Sequence, residues 1–339
     1  MAIHKRGRQS FVLPQLPVID CWASVAGKKE SEGPLADTFD ITSQDTKFGQ
    51  QTWEQAEKYM QQLALNTLMQ KAGLQHKDLD LVLSGDLLNQ CIGSSFSLNN
   101  TGLPHLGLYG ACSTMAESLL VASMAVGGGF ADRVVAMTSS HFASSERQYR
   151  FPLGYGGQRT PTAQWTVTGA GAALVRSSGT GPRIESCTIG TVTELGIKDA
   201  ANMGPAMAPA ALATIRAHME DLGCVPEDFD LIVTGDLGQL GKDVLLELAK
   251  REGLNLGGKI TDCGTLVFDA VGQDVHSGGS GCGCSAVTLC GHLLSQLKSG
   301  KLKRILFCGT GALLSPTSTQ QGLPIPGVCH AVSILSGRE

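Results

Sequence analysis

The sequence predicts an α/β protein built from one unit used twice, with halves 1–180 and 181–339 facing each other across a pseudo-twofold axis. Three observations carry this. Asp78-Leu79-Asp80-Leu81-Val82-Leu83-Ser84-Gly85-Asp86-Leu87 returns as Asp228-Phe229-Asp230-Leu231-Ile232-Val233-Thr234-Gly235-Asp236-Leu237, with six of ten positions identical and three more conservatively replaced. The helix expected before each copy ends at a matching glycine, Gly73 and Gly223. Downstream, Cys112-Ser113, an apolar helix and the strand Arg133–Thr138 correspond to Cys284-Ser285, a helix and the strand Arg304–Cys308. Helix, buried strand, elbow, helix and strand, met twice, describe a duplicated α/β domain.

In chain order, an irregular start punctuated by Pro14, Pro17, Gly27, Gly33 and Pro34 leads to a first helix at Thr52. Thr52 and Gln55 fit a capping box, Trp53, Ala56, Met60, Leu63 and Ala64 make one apolar face, and Gly73 ends the helix. The run after Asp78 reads as a buried strand between a charged entry and a Gly-Asp exit. At Gly110-Ala111-Cys112-Ser113-Thr114 the small residues permit a sharp bend, and Met115, Leu119, Ala122 and Val126 follow at helical spacing. The stretch 177–182 is a loop-type cluster joining the halves. In the second half the helix is expected from Ala210 to Leu222, and a further helical segment from Lys242 to Gly253 supplies much of its extra length.

Composition sets limits on function. With 30 acidic and 26 basic residues, net charge −4, no molecular field draws in nucleic acid or an anionic bilayer. A chain of 339 residues that is 42% hydrophobic is expected to be soluble and globular, with no apolar run of spanning length and hence no direct membrane insertion. Eleven scattered cysteines read as reduced thiols, which points to a cytoplasmic protein.

Chemistry centres on the first elbow. A thiol at a helix N-terminus faces backbone N–H groups and the positive end of the helix dipole, so Cys112 is either an activated nucleophile or one wall of an anion pocket, with Ser113 beside it. A plainer role, a small buried hydrophobe, is the alternative. Asp86 either lines the pocket or ends its strand as a cap, and Asp236 reads as a strand terminator. The second elbow, Gly278-Gly279-Ser280-Gly281-Cys282-Gly283-Cys284, permits close backbone approach at Gly281 and brings Cys282 and Cys284 towards the axis. One intervening residue and no second ligand pair argue against a metal there. Arg147, Arg150 and Arg159 fall in a Gly/Pro-rich stretch, 146–161, expected to loop over the pocket, where one of them offers a carboxylate clamp or each is a solvated or dimer-contact residue. His141 and His330 are expected behind the first contacts, and His276 has weaker context.

Gly85-Asp86-Leu87-Leu88-Asn89-Gln90, Gly110-Ala111-Cys112-Ser113-Thr114, Thr138-Ser139-Ser140-His141, Ala206-Met207-Ala208-Pro209 and Thr310-Gly311-Ala312-Leu313-Leu314-Ser315-Pro316 resemble the stage V sporulation protein AD family, a branch of the thiolase-like superfamily. The likeness runs from Gly33 to His330. It implies a thiolase-like fold layered α-β-α-β-α. It also implies non-enzymatic binding of dipicolinic acid (pyridine-2,6-dicarboxylate) for uptake into developing endospores. The implied partners are the other proteins of the spore dipicolinate channel complex, with peripheral attachment at the forespore or inner spore membrane. A homodimer is expected, as is common for the fold. No cofactor is expected; calcium would enter only as part of a ligand chelate, whose oxygen shell Asp86 could help complete.

Together these readings place ligand contacts at Asp86, Cys112, Ser113, Cys282, Cys284 and Arg147, with Asn89, His141, Gly281 and His330 in a second tier. The competing reading is a cysteine-dependent acyltransferase using Cys112. Asp274-Val275-His276-Ser277-Gly278-Gly279 and Cys308-Gly309-Thr310-Gly311 vaguely resemble thiolase loops, but the proline of the first is missing, as is the Asn-Glu-Ala-Phe segment. For a ketoacyl synthase, Asn202 and Asn255 lack the expected setting.

Overall fold

A computed structural model describes residues 4–149 and 159–337. The first half runs β1 (Val18–Ala26), α1 (Trp53–Ala72), β2 (Leu81–Gly85), β3 (His105–Gly107), α2 (Thr114–Gly127), β4 (Arg133–Ser140), α3 (Phe142–Tyr149) and β5 (Gly169–Arg176). The second runs β6 (Arg183–Thr188), α4 (Met203–Leu222), β7 (Leu231–Thr234), α5 (Gly238–Arg251), β8 (Ile260–Asp262), α6 (Cys282–Thr288), β9 (Arg304–Ala312) and β10 (Gly327–Leu335). Helix α6 continues through a π turn, Leu289–Leu293, into Leu294–Ser299.

The strands lie in the order β8-β7-β9-β10-β6-β1-β5-β4-β2-β3, which reads the same from either end once the halves are exchanged. β2 pairs in parallel with β3 and β4, as β7 does with β8 and β9. The antiparallel contact Arg183↔Val18 joins the halves at the centre. The pseudo-twofold axis therefore passes between β6 and β1.

Strand periodicity builds the layers. In β4, Val134 and Ala136 enter a central core while Val135 and Met137 pack on the opposite face, and in β9 Ile305 and Phe307 part from Leu306 and Cys308 in the same way. The central core holds Met115 and Leu119 of α2 and Ala286 and Val287 of α6 between the two sheet halves. One outer core packs Met60 and Leu68 of α1 on the first half, and the other packs Met207 and Ile215 of α4 on the second. The result is five layers, α-β-α-β-α, with the two elbow helices in the middle. Truncating a fully buried centre such as Leu119 to alanine should cost about 2–5 kcal/mol.

Local signals act as the sequence implied at α1. Thr52 Oγ1 accepts from Gln55 N at 3.2 Å, and Gly73 closes the helix at φ 66°. Two boundaries differ. Helix α4 starts at Met203, seven residues before the expected Ala210, and carries Pro209 inside it. Pro205 costs little because it sits in the first turn, where no intrahelical N–H is needed, and burial of Met203, Ala206 and Met207 outweighs the bond lost at Pro209. Helix α5 starts at Gly238 rather than Lys242. Ser10–Val12, from the first half by sequence, pairs with β6 of the second, anchored by Asp221, whose carboxylate accepts from the N–H groups of Arg8, Gln9 and Ser10.

Candidate functional site at the junction of the two elbows

The first elbow turns at Ala111, whose φ of 51° is a left-handed conformation unusual for a residue with a Cβ. Gly110 leaves no room for a side chain, since a Cβ there would lie 2.5 Å from Ser113 Oγ. Gly311 of β9 allows the second half to close directly on Gly110 and Ser113. The bend is thus pressed against a strand of the other half.

The helix start is less open than its position implied. Ser113 N and Thr114 N donate to Gly110 O and Ala111 O at 3.1 and 3.3 Å, and Ser113 Oγ donates to Gly110 O at 2.7 Å. These donors are spent within the elbow, which corrects the expectation that Ser113 and the first amides bind an anion.

The thiol of Cys112 instead hydrogen-bonds to the Asp236 carboxylate, in the other half. Asp236 is fully buried. Its Oδ2 accepts from Gly281 N at 2.9 Å and its Oδ1 from Thr310 Oγ1 at 2.8 Å, while its own N–H donates to Thr310 Oγ1 at 3.0 Å. Burial pushes its carboxyl up to about 7, against the lowering effect of these donors. Below it, Asp262 accepts from Thr234 Oγ1, Leu237 N and Gly238 N at 2.7, 2.8 and 3.0 Å.

Beside this pair lies a cavity of about 40 Å³ with walls from both halves: Leu87, Ala111 and Cys112 from one, Ser280, Gly281 and Leu314 from the other. Both elbows reach it. Tyr109 OH and Tyr149 OH, 2.8 Å apart, bridge its rim, and Tyr149 OH also donates to Leu87 O. Ser145 lines it too, and its buried Oγ has no hydrogen-bond partner among the described residues.

The other expected contacts are distributed as follows. Gly281 lines the cavity and precedes α6 at φ 97°. Cys282 packs against Cys112 and Leu87, but its thiol donates to Ser139 O at 2.9 Å, and burial raises its pKa. Cys284 is corrected: it lies in the central core, because α6 starts at Cys282 and so places Ser280, not Cys284, two residues ahead of a helix as Cys112 is ahead of Thr114. Asp86 is corrected as well. Its carboxylate accepts from Ser94 N and Ser94 Oγ, both at 2.7 Å, and from Leu88 N at 2.9 Å, so it closes its own turn and does not line the cavity.

Arg147 belongs to helix α3 rather than a loop, pairs with Glu54 and lies over Trp53 at 5.5 Å. With Asn89 it borders a separate, open depression. Arg159 pairs with Asp274, and Arg150 and Tyr155–Gln158 lie outside the described residues. Burial lowers the pKa of His141, whose Nε2 is bonded to Thr46 O at 2.7 Å and which faces another recess. His330 accepts from Gly190 N at 3.2 Å, is pushed down to about 4 by burial, and is not at the cavity. Neither thiolase-like loop supplies a partner for Cys112: His276 bonds Thr160 O, and Cys308 lies in the outer core of the second half. The residues missed were Asp236, Ser145, Ser280 and the two tyrosines. For Asp236 the internal repeat was the available signal.

A family model for stage V sporulation protein AD matches residues 7–335. Stage V sporulation protein AD of Bacillus subtilis (strain 168) is 44% identical over 326 residues, 96% of each chain. The chain belongs to the stage V sporulation protein AD family. Membership gives it a sporulation role. Among solved structures, 3-oxoacyl-[acyl-carrier-protein] synthase III from Aquifex aeolicus VF5 superposes with a TM-score of 0.56 at 16% identity, covering 94% of this chain and 99% of that one. An OleA variant from Xanthomonas campestris gives 0.61 at 15% identity, covering 96% and 97%. These likenesses establish the thiolase-like fold alone. No helix among the described residues is long and apolar enough to cross a membrane.

Proposed function

We propose that the protein binds dipicolinate in the cavity between its elbows without forming a covalent bond to it, and serves the uptake of dipicolinate into developing endospores. It would act as a homodimer, held at the forespore membrane by the other proteins of the dipicolinate channel complex. The observation that carries this reading is the bond from the Cys112 thiol to Asp236. An activated cysteine is paired with a group that can take its proton and then stabilise the thiolate by positive charge. A buried carboxylate does the reverse, because it and a thiolate repel. Among the described residues no histidine or asparagine lines the cavity.

Binding a dianion beside Asp236 has an electrostatic requirement: the carboxyl must be neutral, and with its pKa near 7 it is so in half of the molecules at that pH. Ser145 Oγ is then an uncommitted donor for a ligand carboxylate. The present space holds little more than water, so the Tyr109–Tyr149 bridge must part to admit a pyridine ring. Calcium belongs to this reading only as part of the ligand.

Calorimetry with pyridine-2,6-dicarboxylate, with and without calcium, tests it. Saturable binding that weakens about tenfold in Cys112→Ala is expected, and a gain on adding calcium would identify the chelate as the guest. Mass spectrometry after incubation with acyl-CoA tests the acyltransferase alternative, and an acyl adduct on Cys112 would overturn the non-covalent reading.

A further inference from the structure

A second recess, of about 260 Å³, lies across the wall from the Cys112 cavity. The two share elements but not chemistry. In the short strand Trp165–Thr166, side chains alternate, so Trp165 faces the recess and Thr166 the cavity. In α3, Phe142 and Ala143 face the recess, whereas Ser145 and Tyr149 face the cavity.

The recess joins aromatic surface to unpaired positive charge. Trp53 and Trp165 both line it. Phe142 stacks on one face of Trp165, with ring centroids 3.9 Å apart and planes 12° from parallel. Over the indole also sit Lys29 Nζ at 4.3 Å and Arg159 Cζ at 4.8 Å. Arg159 is held by Asp274, but Lys28 and Lys29 make no ion pair among the described residues. A third feature points to a guest. Glu30, 1% exposed, accepts from Thr168 N at 3.0 Å through Oε1, while its Oε2 is buried with no hydrogen-bond partner among the described residues. The nearby N–H of Gly27 donates to Thr168 O at 2.8 Å and also acts on the Glu30 carboxyl, lowering a pKa that burial pushes up to about 7.

We propose that this recess is a second binding site, for a flat aromatic molecule bearing an anionic group. The ring lies on Trp165 where the Lys29 ammonium now sits. The displaced ammonium and Lys28 take the anion, and a polar ring edge meets Glu30 Oε2. A partly exposed cation–π contact is weak enough to give way to such a guest. The tryptophan pair supplies the stacking surface and the lysines the sign of charge, so neither a non-planar acid nor a flat neutral molecule satisfies both. This inference does not depend on the reading of the Cys112 cavity.

Tryptophan fluorescence is the natural readout, because the remaining tryptophan, Trp22, is in the central core. The full chain is titrated with pyridine-2-carboxylate and with AMP, which separate an aromatic carboxylate from a nucleotide as the source of the chemistry. Cyclohexanecarboxylate (anionic, not flat) and nicotinamide (flat, neutral) are the controls. At least one of the first two should quench saturably and bind about tenfold or more tighter than both controls. The surface double variant Lys28→Gln/Lys29→Gln should weaken that binding about tenfold with its circular dichroism unchanged, and Cys112→Ala should leave it intact. The proposal is overturned if neither probe quenches saturably, if a control binds equally well, or if the signal is lost in Cys112→Ala and kept in the lysine variant.

Discussion

Asp86 and Asp236 occupy the same place in two copies of one motif, after a buried strand and before a leucine, yet their carboxylates face different ways. Asp86 turns back on its own half, where Ser94 and Leu88 supply three hydrogen bonds that tie the turn to the short helix Ile92–Ser97. In the second half that work is done by Asp262, which accepts from Leu237 N and Gly238 N. Relieved of capping, Asp236 accepts from Gly281 and Thr310 of its own half and reaches across the axis to the Cys112 thiol. Duplication fixes where a side chain starts, and the partners that have diverged around it decide what it does.

The largest effects should come from deleting either acid. Asp236→Ala strands three buried donors and should cost about 3–5 kcal/mol in chemical denaturation, together with loss of dipicolinate binding. Asp86→Ala should cost about 2–4 kcal/mol through Ser94 and Leu88, but the folded fraction should bind dipicolinate with unchanged affinity. Equal effects of the two on binding would break the comparison.

Next in size is a pH effect on stability. The Asp236 carboxyl keeps its proton up to about pH 7 when folded but only to about pH 4 when unfolded. Between those values the folded chain binds more protons, so this group's contribution falls as pH rises from about 4 to 7, by at most about 1.4 kcal/mol per pH unit. Denaturation curves at pH 5, 6 and 7 should therefore show a shallower decline for Asp236→Asn than for the wild type.

A smaller contrast sets the two elbow cysteines apart. Cys284→Ala should lower stability by about 1–2 kcal/mol without altering affinity, since the side chain lies in the central core, and Cys112→Ala should do the opposite. The smallest effect is expected for Tyr149→Phe. It removes the bonds to Tyr109 and Leu87 at a half-buried rim, so stability should move by less than about 1 kcal/mol while dipicolinate associates faster in stopped-flow measurements.

Much of the architecture was legible because periodicity and repetition are properties of the chain itself. The decapeptide repeat located β2 and β7, the glycines located the ends of α1 and α4, and the small residues at 110–111 located the elbow. The site was less legible. Spacing cannot tell that Asp262, 26 residues beyond Asp236 in sequence, takes over a capping task, because that depends on the parallel pairing Thr234↔Asp262 between β7 and β8. Likewise the start of α6 at Cys282 placed Cys284 inside the helix, away from the position its sequence alignment with Cys112 implied. Arg147 illustrates a different limit: its surroundings in sequence read as a loop, whereas pairing with Glu54 and contact with Trp53 hold it on a helix.

The affinity for dipicolinate as a function of pH, from 6 to 8.5, tests the central role of Asp236 most directly, measured by calorimetry on the wild type, Asp236→Asn and Asp86→Asn. The wild type should weaken progressively above about pH 7, approaching tenfold per unit as the buried acid ionises, Asp236→Asn should bind with little dependence on pH, and Asp86→Asn should follow the wild type. A flat profile for the wild type, or a pH dependence that disappears in Asp86→Asn and persists in Asp236→Asn, would contradict the account.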